Sequence, residues 1–195
     1  MNNKDDNPLK NSVEIDTTNI KIETDRLILR AWTQDDLQDF YNYSSVPGVG
    51  EAAGWFHHES IEHSQQILGM FLKSKETLAL YHKKDKKVIG SAGLHATSWA
   101  SADERFKYLK SAEIGYVLSK AYWGKGLMTE AARALIAYTF DNLGVELMVC
   151  SHFIENNNSR RVIEKCGFSF VENGEYYSSQ MDKTFASMRY ILLKG

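Results

Sequence analysis

Gly124 and Gly126 stand two positions apart at the head of the stretch YWGKGLMTEAARALIAYTF, residues 122–140. Glycines there allow positive φ and close approach of backbone to a ligand. A helix opened by Thr129 and Glu130 leaves its first N–H groups unpaired and aimed into the loop. Unpaired amides at the positive end of a helix attract phosphate. The competing reading of an isolated G-x-G is a tight strand-to-helix turn whose glycines only relieve strain. Two other phosphate loops are excluded by spacing. The pattern G-x-x-x-x-G-K-[ST] fails because a glycine follows Lys125 and none precedes it at the required distance. The dinucleotide fingerprint G-x-G-x-x-G is half met, with Thr129 in the third position. It fails on placement, because residues 119–123 separate the preceding strand from Gly124 and Glu146 begins its strand.

A second informative segment, NNNSRRVIEKCGF at 156–168, follows the apolar run 147–150. The two segments together resemble the GNAT superfamily of N-acetyltransferases, and within it the RimJ/RimL-type branch that acetylates ribosomal-protein N-termini. The likeness is carried by Glu113-Ile114-Gly115-Tyr116, Trp123-Gly124-Lys125-Gly126, Thr129-Glu130-Ala131, Asn156-x-x-Ser159 and Glu164-Lys165-Cys166-Gly167-Phe168. Echoes at 24–30 and 88–90 extend it over roughly residues 20 to 193. Two departures stand out. Ala121 replaces the Gln or Arg that many members carry three residues before the first loop glycine, and Ile163 occupies the place of the family's frequent tyrosine acid. Ser159 is the hydroxyl that remains.

The resemblance implies a GNAT-like α+β fold: a mixed, mostly antiparallel twisted sheet with helices on both faces and a splayed central strand pair. It implies acetyl-CoA as cosubstrate. The pantetheine arm would lie along Tyr116, Val117 and Leu118, and the pyrophosphate on Trp123, Gly124, Lys125, Gly126, Leu127, Met128 and Thr129. An amine would attack the thioester directly in a ternary complex, a strand amide stabilising the developing oxyanion. The amine must be neutral. For an α-amino group deprotonation at pH 7 costs about 1 kcal/mol, against about 4.5 kcal/mol for a lysine, so an N-terminal amine needs modest help.

Glu113 is the first candidate base, directly or through water, and its other reading is a strand-end carboxylate or ion-pair partner. His95, just past a strand, is the second; it is otherwise structural. Ser159 either protonates the CoA sulfur or caps the last helix, and both roles are compatible. Asn156 either contacts pantetheine or orders a water, or else forms a turn. Trp55, Phe56, His57, His58, Trp99 and Tyr176 shape the acceptor entrance or simply pack. The adjacent histidines lack a third ligand at helical spacing, so no metal site is expected. The acceptor is a protein N-terminus or a small-molecule amine. A non-catalytic acyl-CoA-binding protein is the reading from a different class.

Composition sets the frame. With 195 residues, 43% hydrophobic and 25% charged, the chain can bury one good core. A net charge of -2 gives no basic footprint for nucleic acid. Cys150 and Cys166 stand in no metal or redox spacing, which points to reduced thiols packed in the core and a cytoplasmic location. No apolar run suits a membrane span or a signal peptide. Monomer and homodimer remain open. Residues 1–19, rich in Asn, Asp, Lys and Thr, read as a flexible tail, and 20–195 as a single N-acetyltransferase domain.

Periodicity orders the elements. A strand is expected over 22–30, and then a helix capped by Thr33 with Asp36 in a capping-box-like arrangement. A second helix opens at Ser60. Strands over 78–82 and 88–94 flank a lysine-rich tip at 83–87, a loose polar stretch covers 96–110, and a strand follows over 112–118. After the glycine loop, Gly144 stops the long helix in a left-handed cap. A strand over 146–152, a short helix over 158–165 and strands near 168–177 and 185–193 complete an α+β arrangement with helices on both faces.

Overall fold

The computed structural model describes residue 13 and residues 15–195. Eight strands form one sheet in the order β1-β2-β3-β4-β5-β6-β8-β7. They are β1 Lys21–Glu23, β2 Leu27–Ala31, β3 Thr77–His82, β4 Lys87–His95, β5 Ser111–Leu118, β6 Leu147–Phe153, β7 Ser169–Ser178 and β8 Lys183–Leu193. The helices are α1 Leu37–Ser44, α2 Ile61–Ser74, α3 Ser98–Ala102, α4 Leu127–Asn142 and α5 Asn157–Lys165. Neighbouring strands run antiparallel except β5 and β6, which are parallel. This is the α+β architecture expected, with a mixed and mostly antiparallel sheet.

Strand alternation sorts the side chains into two layers. Leu78 and Leu80 of β3 join Ala112 and Ile114 of β5 and the buried stripe Leu127, Ala131 and Leu135 of α4 in the larger core. Ala79, between those leucines, points the other way into a second cluster with Trp32, Phe40, Tyr43 and Leu68, where α1 and α2 pack. Helices therefore cover both faces. A third, smaller cluster sets Ala100 of α3 against Leu147 and Val149 of β6.

Local signals act where the sequence places them. The Asp36 carboxylate accepts the Thr33 N–H at 2.9 Å and holds the Arg30 guanidinium through two bonds of 2.7 Å. Ser60 accepts the His63 N–H at the start of α2. Gly144 has φ 66°, the left-handed conformation that ends α4.

Three expectations are corrected. The single strand over 22–30 is a hairpin, β1 and β2, because the Thr24 hydroxyl accepts the Leu27 N–H at 2.9 Å and closes a turn at 24–26. The loose stretch 96–110 contains α3, too short to show helical periodicity. The long helix begins at Leu127 rather than Thr129. The flexible tail over 1–19 falls partly outside the described residues; within them Thr17 is buried, its N–H donating to the Lys75 carbonyl at 2.8 Å, and Ile15 packs on the core.

Leu135 is 0% exposed at the centre of the larger core. Leu135→Ala is expected to lower unfolding free energy by about 2–5 kcal/mol. Tyr108, 81% exposed, is the control, and Tyr108→Ala should shift it by about 0.5 kcal/mol or less. Urea midpoints check both.

Candidate active site

The parallel ladder between β5 and β6 holds over just three residue pairs, Ser111 to Glu113 against Leu147 to Val149. β5 stays paired to β4 as far as Leu118, and β6 stays paired to β8 as far as Phe153. Beyond Glu113 each strand follows its own antiparallel partner and the two diverge, as the sequence resemblance implied. The β6-facing edge of β5 then has no strand partner. A cavity of about 650 Å³ occupies the split, walled by β5, β6, the glycine loop and the starts of α4 and α5.

At one end lies the loop. Gly124 has φ 74° and Gly126 φ 75°, conformations that favour glycine. Gly126 is the N-cap of α4, and no side chain caps the helix there. The first intrahelical bond is donated by the Glu130 N–H to the Gly126 carbonyl at 3.1 Å, which leaves the amides of Leu127, Met128 and Thr129, three cavity-lining residues, without helical partners. Trp123 fixes the loop's entry, its indole N–H donating to the Leu118 carbonyl at 2.7 Å. Trp123, Gly124, Gly126, Leu127, Met128 and Thr129 all line the cavity, and Lys125 does not.

Lys125 instead turns its carbonyl to Arg26, which donates from Nη1 at 2.9 Å. The same arginine donates from Nε to Glu130 at 2.6 Å, and the Thr24 hydroxyl donates to Glu130 at 2.6 Å. Burial pushes the Glu130 carboxyl up, but Thr24 and Arg26 outweigh it and hold the group below its ordinary value. The turn between β1 and β2 thus clamps the loop across about a hundred residues of chain. Sequence reading assigned Glu130 to the helix start and gave Arg26 no role, because nothing local links the two.

Along β5 the alternation of side chains decides the chemistry of each face. Glu113 shares a face with His95, its register partner on β4, and with Ser151 of β6, the register partner of Arg189. Burial raises the Glu113 carboxyl above its ordinary value; His95, Arg189 and a hydrogen bond from Ser151 pull it partly back. His95 places Nδ1 3.4 Å from a Glu76 carboxylate oxygen. Both Glu113 and His95 line the cavity.

The opposite face carries Tyr116, Cys150 and, from α5, Ser159. The Tyr116 hydroxyl lies 3.0 Å from Ser159 Oγ and 3.3 Å from the Ser159 carbonyl. Ser159 is not the cap of α5, one of its two expected readings. Asn156 is, with Oδ1 accepting the Ser159 N–H at 3.0 Å and Nδ2 donating to the Ala52 carbonyl at 3.0 Å. Ile163, where the family's tyrosine was sought, is buried in the core. Val117, Leu118, Tyr116, Asn156 and Ser159 all line the cavity.

Of the aromatic and histidine side chains proposed for the acceptor entrance, Tyr176 lines the cavity, packed against Phe153. Trp99 donates to Glu172 at 2.8 Å beneath the Arg189 guanidinium, and Trp55 packs on His58. His57 bonds Glu51 at 2.8 Å, His58 is buried against the hydroxyls of Ser44 and Ser64, and Phe56 is exposed. Ser151, Cys150 and Phe153 belong to the cavity wall and escaped sequence reading, since β6 reads as a plain core strand.

The family model described as "Acetyltransferase (GNAT) domain" matches residues 26–169. The chain belongs to the GNAT acetyltransferases. It is 30% identical to an uncharacterized N-acetyltransferase, YoaA, of Bacillus subtilis, over 75% of this chain and 81% of that protein. Its fold matches a putative ribosomal-protein-serine acetyltransferase from Vibrio cholerae with TM-score 0.75 and 18% identity, over 91% of this chain and 99% of the other. A spermidine N-acetyltransferase from the same organism, in complex with CoA and spermine, matches with TM-score 0.67 and 18% identity, over 87% and 96%. As a GNAT N-acetyltransferase the chain depends on acetyl-CoA. Its residues fit that cosubstrate: unpaired helix amides for phosphate, a free strand edge for amides of a pantetheine arm, and a cavity between them.

The raised Glu113 carboxyl has a consequence for stability. The folded chain binds the proton more tightly than the unfolded one, so this group's contribution is fully present below the ordinary Glu value and is lost as pH rises through the folded value. Glu113→Gln should therefore gain stability relative to wild type as pH rises above that ordinary value. Carboxyl carbon NMR should place the Glu113 midpoint above 4.5, and Arg189→Met should move it higher still.

Proposed function

We propose that this chain moves the acetyl group of acetyl-CoA to a primary amine, a protein N-terminal α-amine first, by direct attack within a ternary complex. The observation that carries the reading is the placement of Glu113 and Ser159 on opposite faces of the split between β5 and β6. When bound, acetyl-CoA supplies the activated acyl group as a thioester. The amides of Leu127, Met128 and Thr129, with the backbone of Gly124 and Gly126, hold its pyrophosphate, and the free edge of Tyr116, Val117 and Leu118 fixes the pantetheine in register. Arg26 keeps that loop in place through Lys125 and Glu130.

Glu113 takes the proton of the incoming amine from its own face, with a carboxyl that burial raises above its ordinary value and so makes a stronger base than a solvated carboxylate. His95, beside it, tunes that carboxyl or shuttles the proton onward. A β5 amide bonds the charge developing on the carbonyl oxygen. Ser159 donates to the sulfur on the far face. Asn156 positions Ser159 by capping α5 and ties α5 to the loop at Ala52.

The ribosomal-protein reading is supported by the name of the Vibrio cholerae neighbour and by the RimJ/RimL-like motifs. The spermidine enzyme among the structural neighbours favours a second reading, a small-molecule amine. Free Cys150 and Cys166 suit the reducing cytoplasm. Among the described residues no helix is long and apolar enough to cross a membrane. Residues 20–195 act as one catalytic domain, as monomer or homodimer.

A thiol-release assay with acetyl-CoA and a panel of peptides with free N-terminal Ser, Ala, Thr or Met, beside spermidine and free amino acids, tests the reading. CoA release dependent on a peptide supports it, and release with small amines alone supports the second. Glu113→Gln is expected to lower kcat by about 10²-fold or more with little change in the KM for acetyl-CoA. Arg26→Ala should weaken acetyl-CoA binding about 10-fold by calorimetry while Glu113→Gln leaves it unchanged.

A further inference from the structure

The hydroxyl assigned to the leaving sulfur does not stand alone. We infer that Tyr116 is a positioning residue for the transfer: its O–H donates to Ser159 Oγ and so directs the one proton of Ser159 into the cavity, toward the departing sulfur. The inference rests on the acetyl-transfer reading above and goes further by naming what makes Ser159 a competent donor.

Three observations carry it. The two hydroxyls are 3.0 Å apart, within hydrogen-bond distance, and both residues line the cavity. Two other acceptors compete for the Tyr116 proton: the Ser159 carbonyl at 3.3 Å is farther away and sits in the first turn of α5, where a helical N–H four residues on can bond it, and the Cys150 sulfur is a weak acceptor beside a hydroxyl oxygen. The place where a tyrosine acid was sought holds Ile163, buried in the core, so the hydroxyls of Tyr116 and Ser159 face the split together on this side. Burial holds the Tyr116 hydroxyl well above its ordinary value, keeping it a donor throughout the working range.

The orientation matters because a hydroxyl has one proton. With Tyr116 donating, Ser159 Oγ accepts and its own O–H is free to point at the ligand; such a chain also polarises the second O–H and strengthens it as a donor. With Tyr116 donating to the carbonyl, Ser159 can turn its proton back toward the tyrosine oxygen and away from the sulfur. The step balances as follows. The amine nitrogen forms the new C–N bond and gives its proton to Glu113. The C–S bond breaks with its electron pair on sulfur, the sulfur takes the Ser159 proton, and Ser159 recovers a proton from solvent while Glu113 releases one. Tyr116 neither gains nor loses a proton overall.

The experiment compares Tyr116→Phe, Ser159→Ala and the double variant in the full-length protein. Acetyl-CoA is the donor and a peptide with a free N-terminal serine is the acceptor, with calorimetry of acetyl-CoA alongside. The phenylalanine keeps the ring's packing and removes the hydroxyl. Tyr116→Phe is expected to lower kcat about 10-fold with the KM for acetyl-CoA unchanged within about twofold, Ser159→Ala to lower it more, and the double variant to match Ser159→Ala. Additive losses, or an unchanged kcat in Tyr116→Phe, would overturn the inference. A rise in KM with kcat intact would also overturn it, assigning Tyr116 to binding. If the wild-type chain takes up acetyl-CoA but acetylates no peptide, spermidine replaces the peptide and the same comparison decides. If it takes up no acetyl-CoA, the functional reading fails, and this inference with it.

Discussion

One constraint governs the site: β5 and β6 must each satisfy an antiparallel neighbour that leads it away from the other. Backbone groups in a sheet are paired wherever geometry allows. Here β5 runs with β4 to Leu118 and β6 runs with β8 to Phe153, so the two halves of the sheet meet over three parallel pairs and part. The parting costs the fold a run of ladder bonds. It leaves backbone donors and acceptors along β5, a cavity behind them, and a helix whose first amides open onto the same space. A pantetheine arm, itself built of amides, is the kind of chain that such an edge can accept as a substitute strand.

The split also sorts the chemistry. Strand periodicity sends Glu113 to the side of His95, Ser151 and Arg189, and Tyr116 to the side of Cys150 and Ser159. A group lying in the split is thus faced by the Glu113 carboxyl from one side and the Ser159 hydroxyl from the other, the pair proposed as base and acid. The surrounding straps serve this arrangement. Arg26 holds the loop through Lys125 and Glu130, Asn156 joins α5 to Ala52, and Ser178 donates from Oγ to the Gly54 carbonyl at 2.5 Å, fastening the segment between α1 and α2 to the end of β7.

Much of this was legible in sequence because it is local. The glycine pair, the apolar stripe of α4, the caps at Thr33 and Ser60 and the left-handed Gly144 all follow from residues within a few positions of one another. Glu113 and Ser159 came from motif resemblance, and the structure brings both to the cavity. What was missed is non-local or short. The link from Arg26 to Glu130 joins residues more than a hundred positions apart, and its turn was hidden inside an alternating run that imitates one strand. α3 spans five residues, less than two turns of periodicity. Cys150 and Ser151 lie in a strand whose burial looks uniform, so the face each presents becomes visible only through its register with β5 and β8. For Trp99 and Trp55 the sequence leaves the acceptor entrance and ordinary packing both open, and the contacts are those of packing: Glu172 with Arg189 claims the first and His58 the second.

The central claim is that unpaired amides at the start of α4 and along β5 are filled by acetyl-CoA. Amide hydrogen exchange, followed residue by residue with and without that ligand, tests it most directly. The account predicts that the amides of Leu127, Met128 and Thr129, and those of β5 beyond Glu113 that face β6, exchange rapidly in the free chain and slow sharply on binding. Saturating acetyl-CoA that left those amides unprotected, or protected a different surface, would contradict it.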